Sequence, residues 1–274
     1  MWTLPTDTTW KFYGEKHPYY GVFGQDTYLN DQLNDQLLED FFSSGDAHVK
    51  ELFSTIRGKI DADFKPVTIL DFGCGPGRFM IPFSKYANEV VGIDVSQKML
   101  DEAAKNCLKY NVNNASFYLS DDNLNCLCGK KFDLVNSFIV LQHVHVKRGE
   151  KIIHRLIDSI NENGIGVLHI TYHDHFQKRR IVNYFRNRIP YFATLLRMIR
   201  SIIKKKEFRN LPQMQMNNYN LNDIFQLLQK EKVKEVYSSF TNHYDYFGIT
   251  LMFKKNLNHF TRTTIKNENI TALS

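Results

Sequence analysis

The sequence predicts a doubly wound α/β fold on seven strands, a mostly parallel sheet with the last strand antiparallel. Three observations lead there. Short, nearly continuous apolar runs alternate with segments of helical period, the pattern of a parallel sheet covered on both faces. The first of these runs leads directly into Asp71-Phe72-Gly73-Cys74-Gly75-Pro76-Gly77. The last two runs are joined by too few residues for a parallel crossover, so they must pair antiparallel.

The first thirty or so residues are rich in rings (Trp2, Trp10, Phe12, Tyr13, Tyr19, Tyr20, Phe23) and interrupted by Gly14, Pro18, Gly21 and Gly24. They read as an irregular arm that must pack its rings on something. Residues 31–59 read as helical in two runs, one through Leu33, Leu37, Leu38, Phe41 and Phe42, the other through Val49, Leu52, Phe53 and Ile56, parted by Ser43-Ser44-Gly45. Residues 67–70 form the first strand, 79–87 a helix, 90–93 the second strand and 97–110 a helix. Residues 116–119 and 132–135 are the third and fourth strands. A helix follows through Ile152, Ile153, Leu156, Ile157 and Ile160, and Asn163-Gly164 turns the chain into a fifth strand at 165–170. A basic segment of helical spacing, broken by Pro190, makes a helical insertion after the fifth strand. A helix at 221–229 and strands at 233–240 and 247–253 close the fold. The expected organisation is therefore a cap of arm and helices at 1–60, a main domain at 61–256 with the insertion at 176–212, and a polar tail at 257–274.

With 274 residues, 43% of them hydrophobic, the chain can bury one sizeable core. No apolar run approaches the roughly 20 residues that cross a bilayer. The N-terminus lacks the basic-then-apolar order of a secretory signal, so a cytoplasmic protein is expected. Cys74, Cys107, Cys126 and Cys128 show no Cys-x-x-Cys spacing, and Tyr172-His173-Asp174-His175 cannot converge on one ion from an extended segment, so no metal is expected. The net charge of +6 is concentrated between residues 177 and 206, which hold ten Lys or Arg and no acid. That excess favours an anionic partner. A solvated lid face, a helix lying on an anionic membrane surface and a nucleic-acid contact are the three readings of this segment, in that order.

A strand running into Gly-x-Gly-x-Gly and then a helix places backbone N–H groups at a strand's carboxyl end, where open α/β sheets bind ligands. Glycines there let a ligand lie against the main chain. Asp94 ends the second strand about 20 residues on, where an acid can accept both hydroxyls of a ribose. A nicotinamide dinucleotide would meet two obstacles: Arg78 stands where a third small residue is needed, and Asp71 would repel a pyrophosphate. Asp71 suits a ligand carrying an ammonium group.

Residues 67–172 resemble the core of class I S-adenosylmethionine (SAM)-dependent methyltransferases, whose sheet is Rossmann-like. Leu70 through Arg78 is similar to the family's first motif, and Val91-Gly92-Ile93-Asp94-Val95-Ser96 followed by Met99-Leu100 to its second. Ser120-Asp121-Asp122 and the stretch from Phe132 to Val144 match two more. The N-terminal His17-Pro18-Tyr19-Tyr20-Gly21-Val22 and Phe41-Phe42-Ser43-Ser44-Gly45 resemble a bacterial branch that methylates small molecules. The resemblance implies SAM as cofactor. Gly73, Cys74 and Gly75 would touch it through the backbone, Asp71 would lie near its amino group and Asp94 would hold the ribose. Val95 or Met99 would flank the adenine, Asp121 (rather than Asp122) would pair with it, and Ser137 and Phe138 would sit near the sulfonium. An O- or N-methylated small-molecule acceptor is the leading expectation. A membrane-associated lipid or RNA methyltransferase and a non-catalytic SAM-binding module are the alternatives. Asn136-Ser137-Phe138-Ile139 stands where base-amino methyltransferases carry Asn/Asp-Pro-Pro-aromatic, which disfavours nucleic acid. If the acceptor is a hydroxyl, a base must take its proton; His143 and His173, past the fourth and fifth strands, are the candidates.

Overall fold

The computed structural model describes residues 5–174, 198, 211–243 and 246–255. Within them the chain runs α1 (Thr6–Lys16), α2 (Pro18–Phe23), α3 (Asp35–Lys59), β1 (Thr68–Phe72), α4 (Met80–Phe83), β2 (Glu89–Asp94), α5 (Gln97–Lys109), β3 (Ala115–Leu119), β4 (Phe132–Ser137), α6 (Val146–Asp158), β5 (Ile160–Asp174), α7 (Leu221–Lys230), β6 (Val236–His243) and β7 (Tyr246–Lys254). The seven strands make one sheet in the order β3-β2-β1-β4-β5-β7-β6. β1 pairs in parallel with both β2 and β4, while β7 runs antiparallel between β5 and β6. The strand order reverses at β1/β4, so the carboxyl ends of those two strands flank the crevice in which such sheets bind ligands.

Alternate residues of the same strands feed two separate cores. On one face Leu70, Val135, Leu168, Ile170, Leu251 and Phe253 pack under α6 and α7, through Ile153, Leu156, Ile157, Ile224 and Leu228. On the other, Ile69, Leu134, Val167 and Met252 pack under α3 and α4, through Phe41, Val49, Phe53, Met80 and Phe83.

Three expectations are corrected. The N-terminal arm is not irregular, because Pro18 occupies the first turn of α2, where its missing N–H does no harm. Gly14 is a contact point rather than a breaker, since a Cβ there would lie 2.2 Å from Ser96 Oγ. Ser43-Ser44-Gly45 does not divide α3. Both hydroxyls donate to carbonyls one turn back, on Asp40 and Phe41, and Gly45 lets the helix press against the Arg78 carbonyl, 2.4 Å from where a Cβ would stand. The helix expected at 79–87 shrinks to the single turn of α4. The basic insertion of 177–206 lies outside the described residues except for Met198, which is exposed.

The arm crosses the carboxyl edge of the sheet and is tied at several points. Thr6 Oγ1 donates to the His143 carbonyl at 3.1 Å, and Tyr13 Oη to the Pro212 carbonyl at 2.5 Å. Arg148 bridges Asp7 of the arm to Asp122 of the loop after β3, with both contacts at 2.6 Å.

Candidate active site

The glycine loop begins where β1 ends. Gly73, Gly75 and Gly77 all have positive φ (73°, 52° and 89°), a conformation in which a side chain would be strained. A Cβ on Gly73 would also lie 2.5 Å from Val140. At Gly75 the nearest neighbour to such an atom is Val22 of α2, at 3.5 Å, so the arm roofs the loop while leaving room above its backbone.

Two carboxylates flank this loop. Asp71, 2% exposed, accepts a hydrogen bond from Asn136 Nδ2 at 2.8 Å through Oδ1, whereas Oδ2 is buried without a partner. Burial pushes its carboxyl up to about 7, against the pull of Asn136. Asp94 accepts from the Gly75 N–H at 3.1 Å and the Ser96 N–H at 2.9 Å. Burial raises it to about 6, with the backbone donors opposing. With three backbone donors (Gly75, Val95 and Ser96) on its four lone-pair sites, the carboxylate still has room to accept from a ligand hydroxyl.

The remaining expected cofactor residues are less uniform. Cys74 is buried and its thiol is raised by that burial, so its contribution is backbone and bulk. Val95 follows Asp94 and is half-buried. Met99, 2% exposed, is wedged between α5 and the arm, touching the positions of Gly14 and Gly21. Asp121 spends its carboxylate on its own loop, accepting from Asn123 N, Asn125 N and Asn125 Nδ2, which lowers its pKa. Asp122 is held by Arg148. Ser137 has a buried hydroxyl without a partner. The Phe138 ring lies 4.2 Å from that of His48, 5.1 Å from that of His169 and 5.9 Å from that of Phe79.

The two candidate bases, His143 and His173, stand in different surroundings. His143 is buried, 7% exposed: Nδ1 sits 2.7 Å from the Gln215 carbonyl, so it carries the proton and donates, and the Trp10 ring meets the imidazole edge-on at 4.8 Å. Burial holds it neutral, down to about 4, and only a long 3.4 Å contact with Gln142 Nε2 engages its other nitrogen. His173 is half-buried and stacks on Phe247 at 5.8 Å.

Several groups in the site went unread in the sequence. Asn136 fixes Asp71 from the neighbouring strand. His169 has no exposed surface, contacts Thr241 Oγ1 at 2.8 Å through Nε2 and leaves Nδ1 unpartnered. With His48 and His243 it forms a cluster around Phe138; burial lowers His169 to about 3 and His48 to about 4, so both stay neutral. Polar residues inside the apolar runs of β4 and β5 were the available signal. Among the described residues, the one group able to gather three metal ligands is His154 and Asp158 of α6 with Glu231, just past α7.

Residues 69–164 match the family model of a methyltransferase domain. Among curated proteins the chain is similar to an uncharacterized methyltransferase of Schizosaccharomyces pombe, 38% identical over 84 residues, which are 28% of this chain and 30% of that protein. It is also similar to the 23S rRNA (uracil(1939)-C(5))-methyltransferase of Pseudomonas putida, 43% identical over 53 residues, 19% of this chain and 12% of that protein. The chain thus spans under a third of either relative. Among solved structures it resembles a magnesium protoporphyrin IX methyltransferase from Synechocystis with bound SAM, with TM-score 0.58 and 17% identity over 93% of this chain and 100% of that one. It likewise resembles the N-methyltransferase NodS of Bradyrhizobium japonicum in complex with S-adenosylhomocysteine, with TM-score 0.54 and 14% identity over 90% and 98% of the two chains. At these identities the structures establish the fold.

Proposed function

We propose that this chain, which carries a class I methyltransferase domain, is a SAM-dependent enzyme that methylates an oxygen or nitrogen of a small-molecule acceptor. The observation that carries the reading is Asp71: a fully buried carboxylate with one open oxygen, beside a glycine loop whose backbone a ligand can approach. A buried acid without a counter-charge is costly, and an incoming ammonium group relieves that cost. The amino end of SAM provides such a group. Asp94 would take the ribose hydroxyls while the Gly75 and Ser96 amides hold it in place. Gly73, Cys74 and Gly75 offer main chain, and Val95 and Met99 offer apolar surface for the adenine. Asp121 would need to release part of its own loop to reach the ring, so its backbone is the better contact.

When bound, SAM supplies a methyl group already activated by the sulfonium, which leaves alignment and exclusion of water to the protein. Ser137 and Phe138 at the end of β4 line the place of transfer. The arm, with Trp10 against His143 and Tyr13 tied to the Pro212 carbonyl, closes the site from above. For a hydroxyl acceptor, His143 is the base we favour: the Gln215 carbonyl fixes its tautomer, its ring is neutral near pH 7, and its Nε2 lone pair is only weakly engaged. His173 is the second candidate.

The closed roof of α1 and α2 supports a small acceptor over a polymer. The matches to rRNA methyltransferases cover too little of those proteins to carry their acceptor across. No helix among the described residues is long and apolar enough to cross a membrane; attachment to an anionic membrane surface through 177–206 remains a separate proposal. Calorimetric titration with S-adenosylhomocysteine tests the cofactor, and transfer of label from methyl-labelled SAM to fractions of a small-molecule extract tests the acceptor. Micromolar binding and label in a low-mass fraction are expected. Label in macromolecules alone would overturn the acceptor reading, and no binding would overturn both.

A further inference from the structure

The face of the sheet that looks toward α3 carries a group of titratable side chains set around the Phe138 ring. Between ring centroids, His48 of α3 lies 4.2 Å from Phe138, His169 of β5 5.1 Å and His243 of β6 6.3 Å, and the last two imidazoles are 5.3 Å apart. His169 engages Thr241 Oγ1 through Nε2, which leaves Nδ1 buried without a partner. His243 Nε2 is buried without one as well. The neighbouring strand makes room for this arrangement. A Cβ on Gly248 would stand 2.6 Å from His169 Nε2 and 2.5 Å from Thr241 Oγ1, so β7 has no side chain where the imidazole lies.

Packing alone does not account for the cluster. A buried polar atom left without a partner is costly, and two occur here on neighbouring rings. A metal does not fit, because the three rings do not bring their nitrogens round one point; among the described residues only His154, Asp158 and Glu231 do so. A cationic ligand does not fit either. Among the described residues no carboxylate is paired with any of the three imidazoles. Protonation of His48 is opposed by Arg78 and His243, and that of His169 by His243, His48 and His143. Positive charge is therefore repelled here while hydrogen-bonding nitrogens stand free, and a negatively charged group answers both conditions.

We propose that His169 and His243, with His48 beside them, bind an acidic group of the methyl acceptor, so that the substrate is a small carboxylate or phosphate. This rests on the small-molecule methyltransferase reading above. Phe138 is common to the two sites, since it also stands at the end of β4 where transfer is placed. His143 is near enough to act on His169, so the anion subsite adjoins the base favoured above. Imidazoles that are neutral in the free protein can take up a proton as the anion arrives, which turns a plain hydrogen bond into a charge-assisted one.

The test incubates the full chain with methyl-labelled SAM and a low-mass cell extract. The product is then passed over an anion-exchange resin at pH 8, where carboxylates and phosphates are ionised. Retained label is expected, and phosphatase treatment separates a phosphate, which loses its retention, from a carboxylate, which keeps it. Unretained label that alkali releases as methanol would mean that the acid itself is methylated, as an ester, and supports the same site. An unretained product stable to alkali would overturn the proposal. With the acceptor so identified, His243→Phe should raise KM about tenfold at nearly unchanged kcat, the loss of one charged hydrogen bond. His243→Asn, which keeps a donor, should recover part of that loss. Unchanged KM in a folded His243→Phe, shown by intact S-adenosylhomocysteine binding, would also overturn it. Label confined to macromolecules would remove the parent reading, and this one with it.

Discussion

The two faces of the sheet use the same strands for opposite purposes. Under α6 and α7 the strands present Leu70, Val135, Leu168, Ile170 and Leu251 to an aliphatic cover. On the face toward α3 and the arm, alternate residues of those strands include Asp71, Asn136, His169 and Thr250, all buried. Several of their polar atoms lack partners: Asp71 Oδ2, Asn136 Oδ1 and His169 Nδ1. One face is packed to hold the molecule together, and the other gives up hydrogen bonds that a ligand can supply. Each unmet buried group costs about 1–3 kcal/mol in the free protein, so binding should stabilise this protein strongly while changes to the other face leave binding alone.

The largest expected effect separates the faces directly. Leu156→Ala, in the dry core, should destabilise by about 2–5 kcal/mol, read by urea unfolding. Its S-adenosylhomocysteine affinity, measured well below the melting temperature, should be unchanged; a weakened affinity would show that the two cores are not independent. Asp71→Asn should do the reverse, losing about 100-fold in affinity, or about 2.7 kcal/mol, without loss of fold. Because burial raises the native Asp71 carboxyl from 3.8 to about 7, the native state holds its proton more tightly and stability falls as pH rises between those values. The Asn variant should therefore melt higher than wild type at pH 8 and show no such advantage at pH 4. A lower melting temperature at pH 8 would contradict the account.

A smaller effect follows from the same carboxyl. An ammonium ligand requires Asp71 ionised, so wild-type affinity should drop as pH falls below 7, by up to about tenfold per unit. The Asn variant should show a flatter profile between pH 8 and 6. A wild-type profile as flat as that of the variant would assign the cation site elsewhere. The smallest effect concerns the roof. Tyr13→Phe removes the bond to the Pro212 carbonyl, worth about 1 kcal/mol, and should speed cofactor release about fivefold in stopped flow. No change in release rate would mean that the arm does not gate the site.

The sheet was legible because its signals are local. Apolar runs, the glycine loop after β1 and the short link between the last two strands carry their meaning within a few residues, as does Asp94 after β2. The arm was misread because Gly14, Pro18, Gly21 and Gly24 look like breakers in isolation. What makes α1 and α2 helices is the surface they lie on, including Met99 and the segment at 212–215. The setting of His169 depends on Thr241, 72 positions away across β7, and that of Arg78 on Phe23, whose ring lies 4.9 Å from its guanidinium only once the arm has docked. Sequence spacing records neither. Arg78 was informative in the sequence only as an obstacle to a dinucleotide; its place between the rings of Phe23 and Phe79 is a tertiary fact.

The ties of the arm also set an order of events at synthesis. Thr6 and Tyr13 are anchored to Gln215 and Pro212, contacts that span 209 and 199 positions of chain. Bonds of such range close late, since the loop between their ends must be ordered first. The arm, made before the segments it is tied to, is therefore the last of them to dock. Until the residues beyond β5 have emerged, the arm has only α5 to lie on, and Tyr13 lacks the Pro212 carbonyl that ties it down. The nascent chain would carry a loosely held aromatic segment until those residues emerge, a ready target for holding chaperones.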